Sequence, residues 1–76
     1  MTLDLYAAGK GRDFLIASVP DMVGLDGLGL REGVRVTVRN RYALGGPVLL
    51  RVEDTFSVAV GKDIARRIAV LEAGER

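Results

Sequence analysis

From Gly33 onward apolar and polar residues take turns along the chain. Val34, Val36 and Val38 alternate with Arg35, Thr37 and Arg39, the period of two that puts one side of a strand in a core and the other in water. After the segment Tyr42 to Pro47, Val48, Leu50 and Val52 alternate with Leu49, Arg51 and Glu53. Beyond a turn near Asp54, Phe56, Val58 and Val60 alternate with Ser57 and Ala59. Consecutive runs of this kind joined by short connections predict an antiparallel meander. Gly61 ends the last run, and Lys62 to Arg67 is long enough for a single helical turn that tucks Ile64 inward. Ile68 and Val70 then resume the alternation as a closing strand.

The first half reads differently. Between Arg12 and Val19 both parities carry apolar residues, Phe14 and Ile16 on one and Leu15, Ala17 and Val19 on the other; this predicts a strand covered on both faces, with its register left open. From Val19 to Leu30 the spacing becomes helical. Ser18 stands three residues before Asp21 as a capping box, Pro20 suits a first turn, Met22, Leu25 and Leu28 recur on one face, and Gly29 marks the stop. Gly24 and Gly27 each cost about 1 kcal/mol relative to Ala in a helix interior, so the helix is short and loosely held. Together these elements predict a mainly β chain: a small closed or nearly closed barrel of about five antiparallel strands, with a short helix after the first strand and a single helical turn before the last.

No linker, low-complexity tract or repeat divides the chain, so residues 1–76 read as one domain whose extreme ends, Met1-Thr2 and Ala73 to Arg76, fray. At this length only about 60–65% of the surface leaves water on folding, and stability is a few kcal/mol. Phe and Tyr contribute two residues each and Trp none, which leaves Val, Leu, Ile and Ala to fill the core.

Most chemistry is excluded by what is missing. The chain has no Cys and no His, hence no disulfide, no thiolate ligand and no imidazole to activate Ser18, Ser57, Thr37 or Thr55. An enzyme is not expected. The spacing Gly24-x-x-Gly27-x-Gly29 does not match a dinucleotide fingerprint, and no Gly-Lys-Ser/Thr follows it. Glu53-Asp54, the one adjacent acidic pair, falls in a turn, and oxygen ligands alone suit ferrous iron and zinc poorly. Neither a cofactor nor a resident metal is expected. No apolar run approaches the roughly 18–20 residues of a membrane span, and Asp4 stands where a signal peptide carries basic residues; the reading is a soluble cytoplasmic protein.

The net charge is +1, with nine of the eleven basic residues Arg, a balance that weighs against a dedicated nucleic-acid binder. By parity Arg35, Arg39 and Arg41 share one strand face, either a solvated exterior or a patch for an acidic protein surface or nucleic acid; Tyr42 is the lone aromatic beside them, so the nucleic-acid branch is weak. The leucines are in surplus. Leu25 and Leu28 suit the open end of a barrel, whereas Leu44 in a loop and Leu49 on the outward parity are candidates for exposed apolar contact.

Leu25-x-x-Leu28-Gly29-Leu30-x-x-Gly33-x-x-Val36-x-Val38, then Leu44-Gly45-Gly46-Pro47, the Val52 strand, Phe56-x-Val58-Ala59-Val60 and Ala65-x-x-Ile68 together resemble the FeoA family of ferrous iron transport proteins. Thr2-Leu3 and Gly9 fit its opening. The resemblance covers nearly the whole chain and implies an SH3-like barrel with a helix inserted after the first strand. It also implies a cytoplasmic accessory protein acting with FeoB, the membrane permease that carries a GTP-binding domain. The same module resembles the C-terminal domain of iron-dependent repressors. Two features depart from the family pattern: Asp21, Met22 and Gly24 occupy a turn that is usually basic, and Gly61 replaces an Arg that commonly ends the third strand of the meander.

The expected partner surface joins the elbow Leu25, Leu28, Gly29 and Leu30 to the loop Tyr42, Leu44, Gly45, Gly46 and Pro47, with Leu49 and the arginines Arg35, Arg39 and Arg41 beside it. The alternatives are a nucleic-acid-binding small barrel and a generic peptide-binding module, the latter lacking a visible aromatic-lined groove.

Overall fold

The structure, a computed structural model, describes residues 2–22 and 24–73. Of the frayed ends expected at Met1-Thr2 and Ala73 to Arg76, Met1 and Gly74 to Arg76 lie outside the described residues, and Ala73 is tied down, its N–H donating to the Asp13 carbonyl at 3.1 Å. Among the described residues six strands form one antiparallel sheet: β1 (Leu3–Asp4), β2 (Asp13–Ser18), β3 (Arg35–Arg41), β4 (Val48–Val52), β5 (Phe56–Val60) and β6 (Ala69–Glu72), in the spatial order β1-β6-β2-β3-β4-β5. The meander β3-β4-β5 is the one that the alternation predicts. A single helical turn, α1 (Lys62–Ala65), precedes β6. The architecture is mainly β and SH3-like, with one strand more than expected.

The extra strand is β1, which pairs Leu3 with Val70 and Asp4 with Ala69. It leads into a 3-10 turn (Leu5–Ala7) capped by Asp4, whose Oδ1 accepts the Ala7 N–H at 2.9 Å. Leu5 and Ala8 are fully buried there.

The inward rows of the sheet are those set by the valines. Val36, Val38, Val48, Leu50 and Val70 are sealed from solvent, as are Leu5, Leu30 and Ile68, with Phe14 and Ile16 nearly so. Each such side chain contributes about 1.5–3 kcal/mol by leaving water. No polar or charged side chain is buried among the described residues. On β2 the inward residues are Phe14 and Ile16, while Leu15 and Ala17 are half-buried on the other face.

Two bulges curl the sheet. The β2–β6 register slips between Ile16 and Ser18, and the β3–β4 register slips between Val38, opposite Leu50, and Asn40, opposite Leu49. A bulge sharpens local twist and bend, and it also flips parity. Past it Arg41 lies opposite Val48, on the inward row, whereas Arg35 lies on the outward one. The expectation that Arg35, Arg39 and Arg41 share a face is therefore corrected: Arg39 is the extra residue of the bulge.

One helical expectation changes, while the turn that packs Ile64 inward is present. Between Val19 and Leu30 the described residues hold only a 3-10 turn (Asp26–Leu28), with no side-chain cap at its start. Gly24 and Gly27 withhold the propensity that a full helix needs. In α1 the fully buried residue is Ala65, and Ile64 packs against the core while half-exposed.

Candidate partner-binding surface

The elbow owes its shape to the way its 3-10 turn stops. Gly29 adopts a left-handed conformation (φ 78°, ψ 13°), its N–H donates to the Asp26 carbonyl at 2.9 Å, and the Leu30 N–H reaches back to the Leu25 carbonyl at 3.0 Å. This pair of bonds is a Schellman stop, whose usual companion is an apolar contact between the two residues bridged by the longer bond. Leu25 and Leu30 are both buried, and that explains the Leu-x-x-Leu-Gly-Leu spacing. Two leucines anchor the elbow, while Leu28 between them stays 40% exposed. Onward, the Gly33 N–H bonds the Ile16 carbonyl at 2.8 Å and the Ile16 N–H bonds the Val34 carbonyl at 2.9 Å, which fixes the elbow to β2.

Phe56 completes this end of the molecule. A Cβ added to Gly29 would stand 3.0 Å from Phe56 Cζ and 3.6 Å from Val52 Cγ1, so the elbow backbone lies against the ring. Phe56 is 44% exposed. It closes the inward row Phe14, Val36, Val52, Phe56, which runs out of cover at the edge strand. Beside the elbow is an open cleft of ≈ 300 Å³ lined by Pro20, Met22, Leu25 and Leu30, with Asp21 and Asp26 among its lining.

The loop between β3 and β4 is held by the Tyr42 N–H to the Pro47 carbonyl at 3.0 Å and the Gly46 N–H to the Ala43 carbonyl at 3.2 Å. Gly46 has no room for a side chain, since a Cβ there would meet Tyr42 Cβ at 2.8 Å. At the tip Leu44 has φ 61° and is wholly exposed, at 105% of its reference area. Tyr42 is exposed and Leu49 is half-buried on the outward row.

Elbow and loop lie at opposite ends of β4. The elbow packs on Val52 and Phe56, at the end of β4, whereas the loop feeds Val48, at its beginning. Five residues of strand separate them, about 13 Å at a rise of ~3.3 Å per residue.

The arginines are likewise dispersed. Arg35 Nη1 pairs with Asp13 Oδ2 at 3.2 Å, and Thr37 Oγ1 donates to Asp13 Oδ1 at 2.6 Å, a network on the outer face of the sheet. Arg41 Nη1 donates to the Tyr6 carbonyl at 2.7 Å, with its guanidinium 5.9 Å from the Tyr6 ring centroid. Lys62 Nζ lies 5.5 Å from the same centroid. Arg39 is exposed at the bulge.

Sequence reasoning did not single out Phe56, Tyr6 or Lys62 as surface residues. For Phe56 a signal existed, an inward position next to a turn at the end of a row. Tyr6 and Lys62 gave none.

Among the described residues no three His, Cys, Asp or Glu side chains come together as a metal site, and no helix is long and apolar enough to cross a membrane.

Residues 3–72 match the family model of the FeoA domain. The chain belongs to the FeoA family. The crystal structure of an iron uptake regulatory protein (FeoA) superposes with a TM-score of 0.85 at 24% identity, over 96% of this chain and 99% of that one. The solution structure of FeoA protein from Chlorobium tepidum gives 0.82 at 23% identity, over 97% of this chain and 74% of that one. A manganese-dependent transcriptional repressor gives 0.85 at 19% identity. This chain spans 42% of that repressor, with 95% of its own length covered. At these identities the structural likenesses establish a shared fold. No curated protein sequence matches the chain. FeoA membership supports a role in ferrous iron uptake, and neither the family nor the SH3-like fold is known for catalysis.

Proposed function

We propose that this FeoA chain is a non-enzymatic cytoplasmic accessory protein that binds the cytoplasmic part of a FeoB-type GTP-binding permease. The observation that carries the reading is the match to the FeoA domain over residues 3–72. The contact falls at the elbow end of the barrel, where Leu28 and Phe56 are exposed on either side of a left-handed glycine and next to an open cleft. Partly exposed apolar anchors around a concavity are what protein partners cover, and a few such residues carry most of the energy of an interface. The buried Leu25 and Leu30 support the surface from beneath. Asp21 lines the cleft and favours a partner that brings Lys or Arg to it, Asp26 beside it being already within ion-pair distance of Arg31.

The experiment is a titration of the purified chain into the soluble GTP-binding portion of the permease, read by calorimetry. Saturable binding at one-to-one stoichiometry supports the reading. Failure to bind either that portion or the detergent-solubilised whole permease contradicts it.

A further inference from the structure

The opposite end of β4 carries a group of side chains that the elbow contact leaves unused. The 42–47 loop projects Leu44 wholly into solvent on a left-handed backbone, a conformation that costs a branched side chain energy. No described neighbour compensates for it. Behind the tip two cations flank one aromatic ring. Arg41 and Lys62 stand 5.9 and 5.5 Å from the Tyr6 centroid, and a Cβ on Gly45, within the loop itself, would be 4.0 Å from Lys62 Nζ. Tyr42 is exposed at the base of the loop.

Three basic residues are ion-paired, and Arg41 and Lys62 belong with Lys10, Arg39, Arg66 and Arg67 among those without an ion pair to a described residue. Arg12, Arg31 and Arg35 are each within ion-pair distance of a carboxylate, Glu72, Asp26 and Asp13 respectively. Arg41 and Lys62 have no such ion pair among the described residues: Arg41 is held by a backbone carbonyl, and both lie over a ring. The nearest acidic residues in sequence are Asp4, whose carboxylate accepts the Ala7 N–H, and the exposed Asp63. Two further basic residues lie close along the backbone. Arg39 follows on the bulge, and the turn that carries Lys10 is bonded to the Val38 carbonyl through the Gly11 N–H at 2.7 Å.

We propose that this end of the barrel, Leu44 with Tyr42, Tyr6, Arg41 and Lys62, is a docking site for an anionic lipid surface. An exposed aliphatic residue at a protruding tip, with the exposed Tyr42 at its base and Arg41 and Lys62 beside the half-buried Tyr6, matches the layering of a membrane interface. There apolar side chains enter the acyl boundary, aromatic rings lie among the headgroups, and Lys and Arg meet the phosphates. The shape argues the same way. Leu44 stands wholly exposed at a loop tip, the placement a side chain needs in order to enter a lipid surface. One leucine and two cations give weak, reversible attachment, because stable anchoring takes stronger signals. This attachment adds to the permease contact without depending on it.

The test is co-sedimentation of the full chain with vesicles, either phosphatidylcholine alone or phosphatidylcholine with about one third phosphatidylglycerol. The expected result is binding to the anionic vesicles at low salt, little binding to the neutral ones, and loss of most binding near 0.5 M salt, where the Debye length shrinks to about 4 Å. Leu44→Ser combined with Lys62→Gln lowers the bound fraction at least about fivefold with unchanged circular dichroism. Leu28→Ser combined with Phe56→Ser, at the far end of β4, leaves vesicle binding intact whatever it does to permease binding, so the two readings fail separately. Absence of binding to anionic vesicles overturns the proposal, as does equal loss for both pairs. Capture of the chain by polyglutamate with no vesicle binding also overturns it, in favour of an acidic protein segment.

Discussion

The Phe56 ring lies across the backbone of Gly29, close enough that a Cβ on the glycine would stand 3.0 Å from Cζ. One contact thus joins the elbow to the edge strand β5.

Gly29→Ala faces two costs, a left-handed backbone at φ 78° and a ring that must move. Together they predict a loss of about 1–3 kcal/mol, seen as a lower urea midpoint at an unchanged slope. Gly27→Ala, two residues earlier with nothing within 4 Å of the new Cβ, is the control. It is neutral or stabilising by up to about 1 kcal/mol.

Parity on β3 predicts opposite outcomes at adjacent positions. Val36 is fully buried, so Val36→Asp places an unpaired charge in the core at a cost of several kcal/mol, comparable to the whole stability of a domain this small; the chain unfolds by circular dichroism. Arg35 is half-exposed and paired with Asp13. Arg35→Ala keeps the fold and changes stability by no more than about 1 kcal/mol.

Leu44 predicts a gain. Its side chain is fully exposed at φ 61°, so Leu44→Asn removes strain without removing packing. Stability rises by about 0.5 kcal/mol in urea denaturation, since Asn tolerates the left-handed region. A loss would mean that Leu44 is held by contacts within the chain.

The side-chain inventory predicts weak metal binding. With no His, no Cys and no three described carboxylates in one place, ferrous iron and zinc bind no more tightly than about 0.1 mM by calorimetry. A stoichiometric micromolar site would show that carboxylates converge on the ion when it arrives.

The sheet was legible wherever Val and Leu alternated with polar residues, because burial on one face imposes a period of two. Val36, Val38, Val48, Leu50 and Val52 all follow that rule. The Arg39 bulge was hidden because Arg39, Asn40 and Arg41 are all polar, and a run of one polarity carries no parity to break. Leu3, Leu5 and Ala8 follow no period, since a two-residue strand passes at once into a tight turn, and β1 escaped for that reason. The helix expected after Val19 failed on its glycines. Met22, Leu25 and Leu28 have the spacing, yet a Schellman stop with buried Leu25 and Leu30 also produces it in a single turn. For the candidate surface, the sequence identified Leu28 and Leu44 but joined them. Separating them required knowing that β4 runs from one to the other.

The most direct measurement of the central claim is the affinity of the permease's soluble cytoplasmic portion for wild type and for Leu28→Ser with Phe56→Ser, each variant first checked for an intact fold. Anchors of this kind carry about 1–3 kcal/mol each, so the pair weakens binding at least about tenfold, mainly through faster dissociation. A Leu28→Ser, Phe56→Ser chain that binds as tightly as wild type would place the permease contact away from the elbow and contradict the account.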